Sequence, residues 1–82
     1  MTVLPLSKRL VSYIQKHNLT KTFVKQKSLF EQNPAHASLH TELLEPRHLR
    51  IYSFRVTKRY RAIFIYHGNS AVEIIDINDH YQ

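Results

Sequence analysis

The hydrophobic pattern of this chain changes period once, near its middle, and that change restricts the fold more than any other feature. In the first half apolar residues recur at helical spacing. Ser7 can cap a helix running to about Asn18, with Leu6, Leu10, Tyr13, Ile14 and His17 on or beside one stripe. Asn18 and Leu19 break into a second helix, about Thr20 to Gln32, with Leu19, Phe23, Val24, Lys27 and Phe30 at helical spacing. Asn33-Pro34 stops it, because the residue before a proline is driven out of the helical region. The short connection predicts an antiparallel helical hairpin, and Leu4 and Leu6 suggest a short strand ahead of it. In the second half the period shortens to two. RIYSFRV (50–56) alternates, YRAIFIY (60–66) is apolar on both faces, and AVEIIDI (71–77) is β-branched. His67-Gly68-Asn69-Ser70 supplies a hairpin turn with the chain's one glycine. Helices first and strands after predict an α+β domain: a helical hairpin on one face of a twisted antiparallel sheet of three to four strands. The doubly apolar segment 60–66 belongs in the sheet interior. At 82 residues there is room for one hydrophobic core, so residues 1–82 form one domain, and the sheet face without helices is left for function.

Charge narrows the partner. Twelve Lys and Arg stand against six Asp and Glu, a formal +6. Residues 1–30 hold Lys8, Arg9, Lys16, Lys21, Lys25 and Lys27 and no acid, the pattern of a solvated helical face that attracts a polyanion in a salt-dependent way. Residues 47–61 hold Arg47, Arg50, Arg55, Lys58, Arg59 and Arg61, interleaved with Tyr52, Phe54 and Tyr60, again without an acid. Arginine's planar fork suits phosphate better than lysine's point charge. The absence of cysteine removes disulfides, thiolate zinc sites and cysteine nucleophiles together. No apolar run reaches the ~18–20 residues of a membrane span, and the charged opening residues do not form a signal peptide. A cytoplasmic location with no membrane partner is expected.

Arg55 and Arg61 lie on successive predicted strands. A three-residue turn (Thr57, Lys58, Arg59) or a five-residue one sets them opposite each other on one face, and a two-residue turn does not. Facing arginines repel, so the pair reads either as a clamp for a bridging phosphate or as ordinary surface cations. His80 and Tyr81 at the chain end read as a general acid or base beside a stacking ring, or as a frayed terminus. His36 and His40 are four apart but fall in a loop around Pro34, and with His48 and His67 they form no HExxH or carboxylate-supported cluster, so no metal site is expected. Glu42 and Glu45 flank Leu43-Leu44, each either a base or an exposed carboxylate. No Gly-rich phosphate loop or nucleophile elbow is present.

Three stretches taken in order resemble a known family. Asn33-Pro34 followed by His36, Ser38 and Leu39 (NPAHASLHTELL) is similar to the NP-hPSL stretch between helices and sheet in RelE/ParE-superfamily toxins. IYSFRVTKRYRAIFIY resembles their strand pair, with Ser53-x-Arg55-Val56 and Tyr60-Arg61 in the usual spacing, and DINDHYQ resembles the His-Tyr ending of the RelE/YoeB/HigB branch. The resemblance implies the toxin of a type II toxin–antitoxin pair, a ribosome-dependent mRNA endoribonuclease that halts translation by metal-free transfer to the RNA 2′-hydroxyl. It implies a cognate antitoxin, the ribosome and mRNA as partners, and no cofactor. Arg55 and Arg61 would hold the phosphate, His80 would protonate the leaving oxygen, and Tyr81 would stack on a substrate base. Arg47, Arg50, Lys58 and Arg59 would add RNA contacts. The paired sheet lysines of the RelE branch have no counterpart, and the base glutamate of the YoeB branch is displaced by what looks like an insertion at 45–50. Glu42 is the candidate for its role.

Two other readings share these residues. A ParE-like gyrase inhibitor would bind without cutting, and it has no need of an acid beside the arginines. A non-catalytic nucleic-acid-binding relic would keep the basic face without a positioned His80.

Overall fold

A computed structural model of the chain describes residues 1–80. The first helix, α1 (Lys8–Lys16), starts where Ser7 Oγ accepts the amide of Leu10 at 3.3 Å. It ends by handing its last carbonyls to the next turn: Leu19 N donates to Ile14 O at 2.7 Å, and Leu19 O then accepts from Phe23 N at 2.8 Å. Leu19 thereby closes α1 and opens α2 (Thr20–Gln32), with Asn18 at φ 56° making the reversal. Leu10 and Ile14 of α1 and Phe23 and Phe30 of α2 are buried, as helical spacing predicts. His17, beside the α1 stripe, is exposed, and of the α2 positions the exposed one is Val24. It is 56% exposed, and Gln26 is buried instead, because its Nε2 donates to Arg55 O at 2.8 Å and to Ser38 O at 3.5 Å.

The sheet has five strands, in the order β1-β5-β4-β3-β2. The three predicted strands are its centre: β3 (Tyr52–Arg55), β4 (Arg61–His67) and β5 (Ala71–Asn78), antiparallel, with β4 in the interior. Two short edge strands make the sheet larger than expected and mixed in direction. β1 is Thr2–Val3 rather than the segment at Leu4 and Leu6, and it runs parallel to β5, held further by Val3 N donating to Glu31 Oε2 at 2.9 Å. β2 is Glu42–Leu43, antiparallel to β3. Between α2 and β2 lies a short 3-10 turn, Ala37–Leu39, and between β2 and β3 another, Arg47–Leu49.

Alternation along the strands separates the two faces. Phe54, Ala62, Phe64, Val72, Ile74 and Ile77 pack toward the helices, with the Phe30 ring 5.1 Å from Phe54 and 5.2 Å from Phe64. A bulge makes this set possible. Ile63 pairs with Asp76 and Phe64 with Ile74, so Ile75 is the extra residue that lets Ile74 and Ile77, three apart, both reach the core. Ser53, Arg55 and Arg61 fall on the other face. No helix among the described residues is long and apolar enough to cross a membrane.

Candidate functional site

Five residues, 56–60, separate β3 from β4, and this longer turn sets Arg55 directly opposite Arg61. The turn is closed by Val56 N and Thr57 N, which both donate to Tyr60 O at 3.0 and 3.1 Å, and by Thr57 Oγ1, which accepts from Arg59 N and Tyr60 N. The next strand places Asn78 opposite Arg61 on its other side. Three strands therefore bring Arg55, Arg61 and Asn78 into one row at the end of the sheet.

The two arginines are not equivalent. Arg61 is only 4% exposed. Its Nε and Nη2 donate to Ser53 Oγ at 3.1 and 2.7 Å, and Nη2 also donates to His40 O at 2.6 Å. Burial pulls its pKa below the ordinary arginine value; Glu42 opposes that shift and Arg55 adds to it. Arg55 is half-buried, and its Nε is sealed from solvent with no hydrogen-bond partner. One guanidinium is built into the fold, and the other faces it with a donor unsatisfied. Glu42 joins them through β2, where it pairs with Ser53 on the same face.

Around this row the chain ends are fastened by charge. Arg59 pairs with Asp79 at 3.0 Å and lies 5.6 Å above the Tyr60 ring, while Arg9 reaches Asp76 at 3.4 Å and Ile75 O at 3.2 Å. Tyr60 Oη lies 3.4 Å from His17 Nδ1, and Tyr13 completes the cluster with ring centroids 4.3 Å from His17 and 6.3 Å from Tyr60. Burial raises the Tyr13 hydroxyl above its usual pKa, helped by Tyr60, Asp79 and Asp76. His80 follows two residues after Asn78. Its amide donates to Asn78 Oδ1 at 3.1 Å, its side chain is 87% exposed, and Nε2 stands 3.9 Å from Asp79 Oδ1. Tyr81 lies outside the described residues.

The other basic residues do not converge on one place. Lys58 and Arg59 sit exposed in the turn beside Arg55 and Arg61. Arg47 and Arg50 occupy the β2–β3 connection at the opposite end, where Arg50 lines a cleft with Gly68. The seven residues of β4 separate the two ends by about 20 Å at ~3.3 Å per residue. Glu45 and His48 are exposed in the same connection, and His67 pairs with Glu73 at 2.7 Å. Among the described residues no three His, Asp or Glu side chains converge as metal ligands.

Three participants escaped the reading of single residues: Ser53 as the seat of Arg61, His40 through its carbonyl, and Gln26 behind the Arg55 carbonyl. Only Ser53 leaves a trace in the sequence, as a small polar residue two positions before an arginine in an otherwise apolar strand.

No protein-family model matches the sequence, and no curated protein matches it. Solved structures do. The chain is similar to a YoeB/ParE toxin from Agrobacterium tumefaciens, with a TM-score of 0.70 and 17% identity over 99% of this chain and 100% of that one. It is similar also to a chain of the YoeB-YefM complex from Staphylococcus aureus, at TM-score 0.70 and 20% identity over 98% of this chain and 94% of that one. A heterotetrameric YoeB-YefM toxin–antitoxin complex from the same organism matches at TM-score 0.69 and 19% identity, with 98% and 94% covered. The fold is that of the RelE/ParE-like toxins.

Proposed function

We propose that the protein is the toxin of a type II toxin–antitoxin pair and cuts ribosome-bound mRNA at the end of the sheet that holds Arg55 and Arg61. The observation that carries this reading is the facing arginine pair itself. Two like charges directly opposite in a strand pair cost roughly 0.2–1 kcal/mol, and Arg55 keeps a buried Nε without a partner. An anion bridging them removes the repulsion and satisfies the donor. The fold and the YoeB-YefM complexes among the similar structures support a protein antitoxin as the partner that restrains it.

The chemistry needs three services. A base takes the proton of the RNA 2′-hydroxyl, whose oxygen then bonds to phosphorus. Cations stabilise the charge that builds on the phosphoryl oxygens. An acid gives a proton to the 5′ oxygen as its bond to phosphorus breaks, leaving a 2′,3′-cyclic phosphate and a 5′-hydroxyl. Glu42 is the carboxylate nearest in the row and takes the role of base. Arg55 contacts the phosphate, and Arg61 contributes its charge from within the fold. His80, at the end of the strand beside Arg61, is the acid, and Tyr81 stacks on a base of the message. Lys58 and Arg59 extend the cationic surface along the same turn.

Induced expression, with primer extension on cellular mRNA, tests this. Cuts within translated codons, lost in Arg55→Ala and His80→Ala proteins that still fold, are the expected result. Intact mRNA together with blocked gyrase supercoiling would overturn the nuclease reading in favour of a gyrase-binding toxin.

A further inference from the structure

Two open clefts share one residue, Tyr66, as a wall; the first reaches His40 beside Arg61 and the second lies at the opposite end of β4. The first, about 530 Å³, is bounded by the connection after α2, with Pro34, His36, His40 and Thr41 across from the Tyr66 ring. The second, about 520 Å³, is bounded by Leu49, Arg50, Tyr52 and Ile65 on the other side of that ring. Tyr66 is 38% exposed and is braced from behind: its ring meets Tyr52 edge-on at 5.1 Å and Phe64 at 5.6 Å. A braced aromatic ridge between two clefts is more than loose surface.

The clefts share a second property. The 3-10 turn before each ends in a non-glycine residue with positive φ, His40 at 45° and Arg50 at 54°. Glycine would adopt that conformation without strain. Here the two positions instead carry an imidazole and a guanidinium, and each residue lines its cleft. Neither cleft is lined by an acid. Arginine, histidine and tyrosine around an open cleft suit an anionic strand with flat bases: the rings offer stacking faces, and arginine meets phosphate.

We propose that Tyr66, with Arg50 and His40 on either side, forms a second contact for single-stranded RNA, in which successive bases stack against the Tyr66 ridge and Arg50 meets the backbone. This deepens the ribonuclease reading and rests on it for the identity of the strand. It assigns a use to Arg50, which lies toward the far end of β4 from Arg61 and outside the arginine row. Tyr66 lies on the helix-side face in line with Phe64, and an RNA strand passes from it to the arginine row past His40, which lines the first cleft and whose carbonyl holds Arg61. A strand gripped at Tyr66 gains affinity and register, while cutting stays with the arginine row.

The test is binding of a fluorescein-labelled 2′-deoxy oligonucleotide of about ten residues to the purified chain, followed by anisotropy. It has no 2′-hydroxyl, so binding is read without cleavage. Tyr66→Leu keeps the apolar packing and removes the ring; it is expected to weaken binding five- to 150-fold, the fold-change equivalent of about 1–3 kcal/mol per stacked base. Tyr66→Phe is expected to bind like the parent, and Arg50→Gln to lower the salt slope by about 1. Thermal melting of each variant confirms that it folds. Equal affinity of folded Tyr66→Leu and parent overturns the inference, as does no binding by the parent. Loss of co-purifying antitoxin in Tyr66→Leu at unchanged oligonucleotide affinity also overturns it, assigning the ridge to the protein partner. If the oligonucleotide binds as expected while cellular mRNA stays whole, the ridge stands and the nuclease reading falls.

Discussion

Arg55 and Arg61 face each other, yet substituting them is expected to act in opposite ways on stability. Arg61→Ala removes the donors that hold Ser53 Oγ, fully buried, and the carbonyl of His40. Each acceptor that loses a charged donor costs about 1.5–3 kcal/mol, so the gross loss is ~3–6 kcal/mol. Removing a buried cation returns part of this, because its desolvation, visible in the lowered pKa, disappears with it. A net loss of about 3 kcal/mol corresponds to a melting temperature lower by roughly 12–24 °C in a domain of this size. Arg61→Lys keeps the charge but lacks the fork, satisfies one acceptor, and is expected to lose about half as much. Arg55→Ala removes a donor that has no partner and a like charge opposite Arg61, so it should melt within a few degrees of the parent or above it. Circular dichroism at 222 nm against temperature reads all three. An Arg61→Ala protein melting within about 3 °C of the parent would refute the anchoring role deduced from its bonds. The consequence for activity is practical: lost toxicity in Arg61→Ala combines lost folding with lost charge, whereas lost toxicity in Arg55→Ala reports chemistry.

The remaining expectations are briefer. Gln26→Leu leaves the Arg55 carbonyl without its donor and should cost about 1–3 kcal/mol, read as a lower urea midpoint; an unchanged midpoint would show that the buried amide does not hold α2 to the turn. Burial raises the hydroxyl pKa of Tyr66 and of Tyr13 above 10.0. Stability from these two groups is fully present below pH 10 and is lost as pH rises through their folded values, since the unfolded chain releases its protons first. Absorbance at 295 nm should therefore show a late component that Tyr13→Phe and Tyr66→Phe each reduce, with urea stability falling over the same alkaline range; an unchanged titration curve in both variants is the contrary outcome. Glu42→Gln should slow mRNA cutting by about 10²–10⁴-fold, the usual contribution of a general base, and lower the melting temperature as well, since the Glu42 charge favours the buried Arg61 cation; full activity in the folded protein would move the base elsewhere.

What the sequence made legible was set by local rules. The α2 boundaries follow from Leu19 and from Asn33-Pro34, whereas in the sequence the side of Arg55 relative to Arg61 depends on the turn, and the five-residue turn sets them opposite. What escaped was decided by contacts distant along the chain. β1 exists because Thr2 and Val3 meet β5 almost seventy residues later, and nothing near position 2 announces it. Val24 has the spacing of a core residue, but two carbonyls from other segments turn Gln26 inward in its place. Arg61 looks like a surface cation in any local window. Its burial requires Ser53 from the neighbouring strand and His40 from the loop, and neither pairing is visible before the sheet is assembled. The arginine block of 47–61 looks continuous as text, but the strand between Tyr52 and Arg55 carries its two ends apart.

The excess of +6 therefore does two kinds of work, and the ion pairs show which cations do which. Lys27 is paired with Glu31, Arg9 with Asp76 and Arg59 with Asp79, while Glu73 holds His67. Four of the six acids thus tie one helix turn to the next, helix to strand, turn to the residue after β5, and β4 to β5, and a fifth, Glu42, acts on Arg61. The lysines of the helical hairpin ride on long flexible stems, and a charge free to move attracts a polyanion without choosing one of its atoms. Arg61 is different in kind: its fork is held in the sheet by two acceptors, its field is strengthened by burial, and strand register points Arg55 at the same place. A fixed charge needs no reorganisation when an anion develops beside it, and this is the condition under which electrostatics lowers a barrier rather than merely raising affinity.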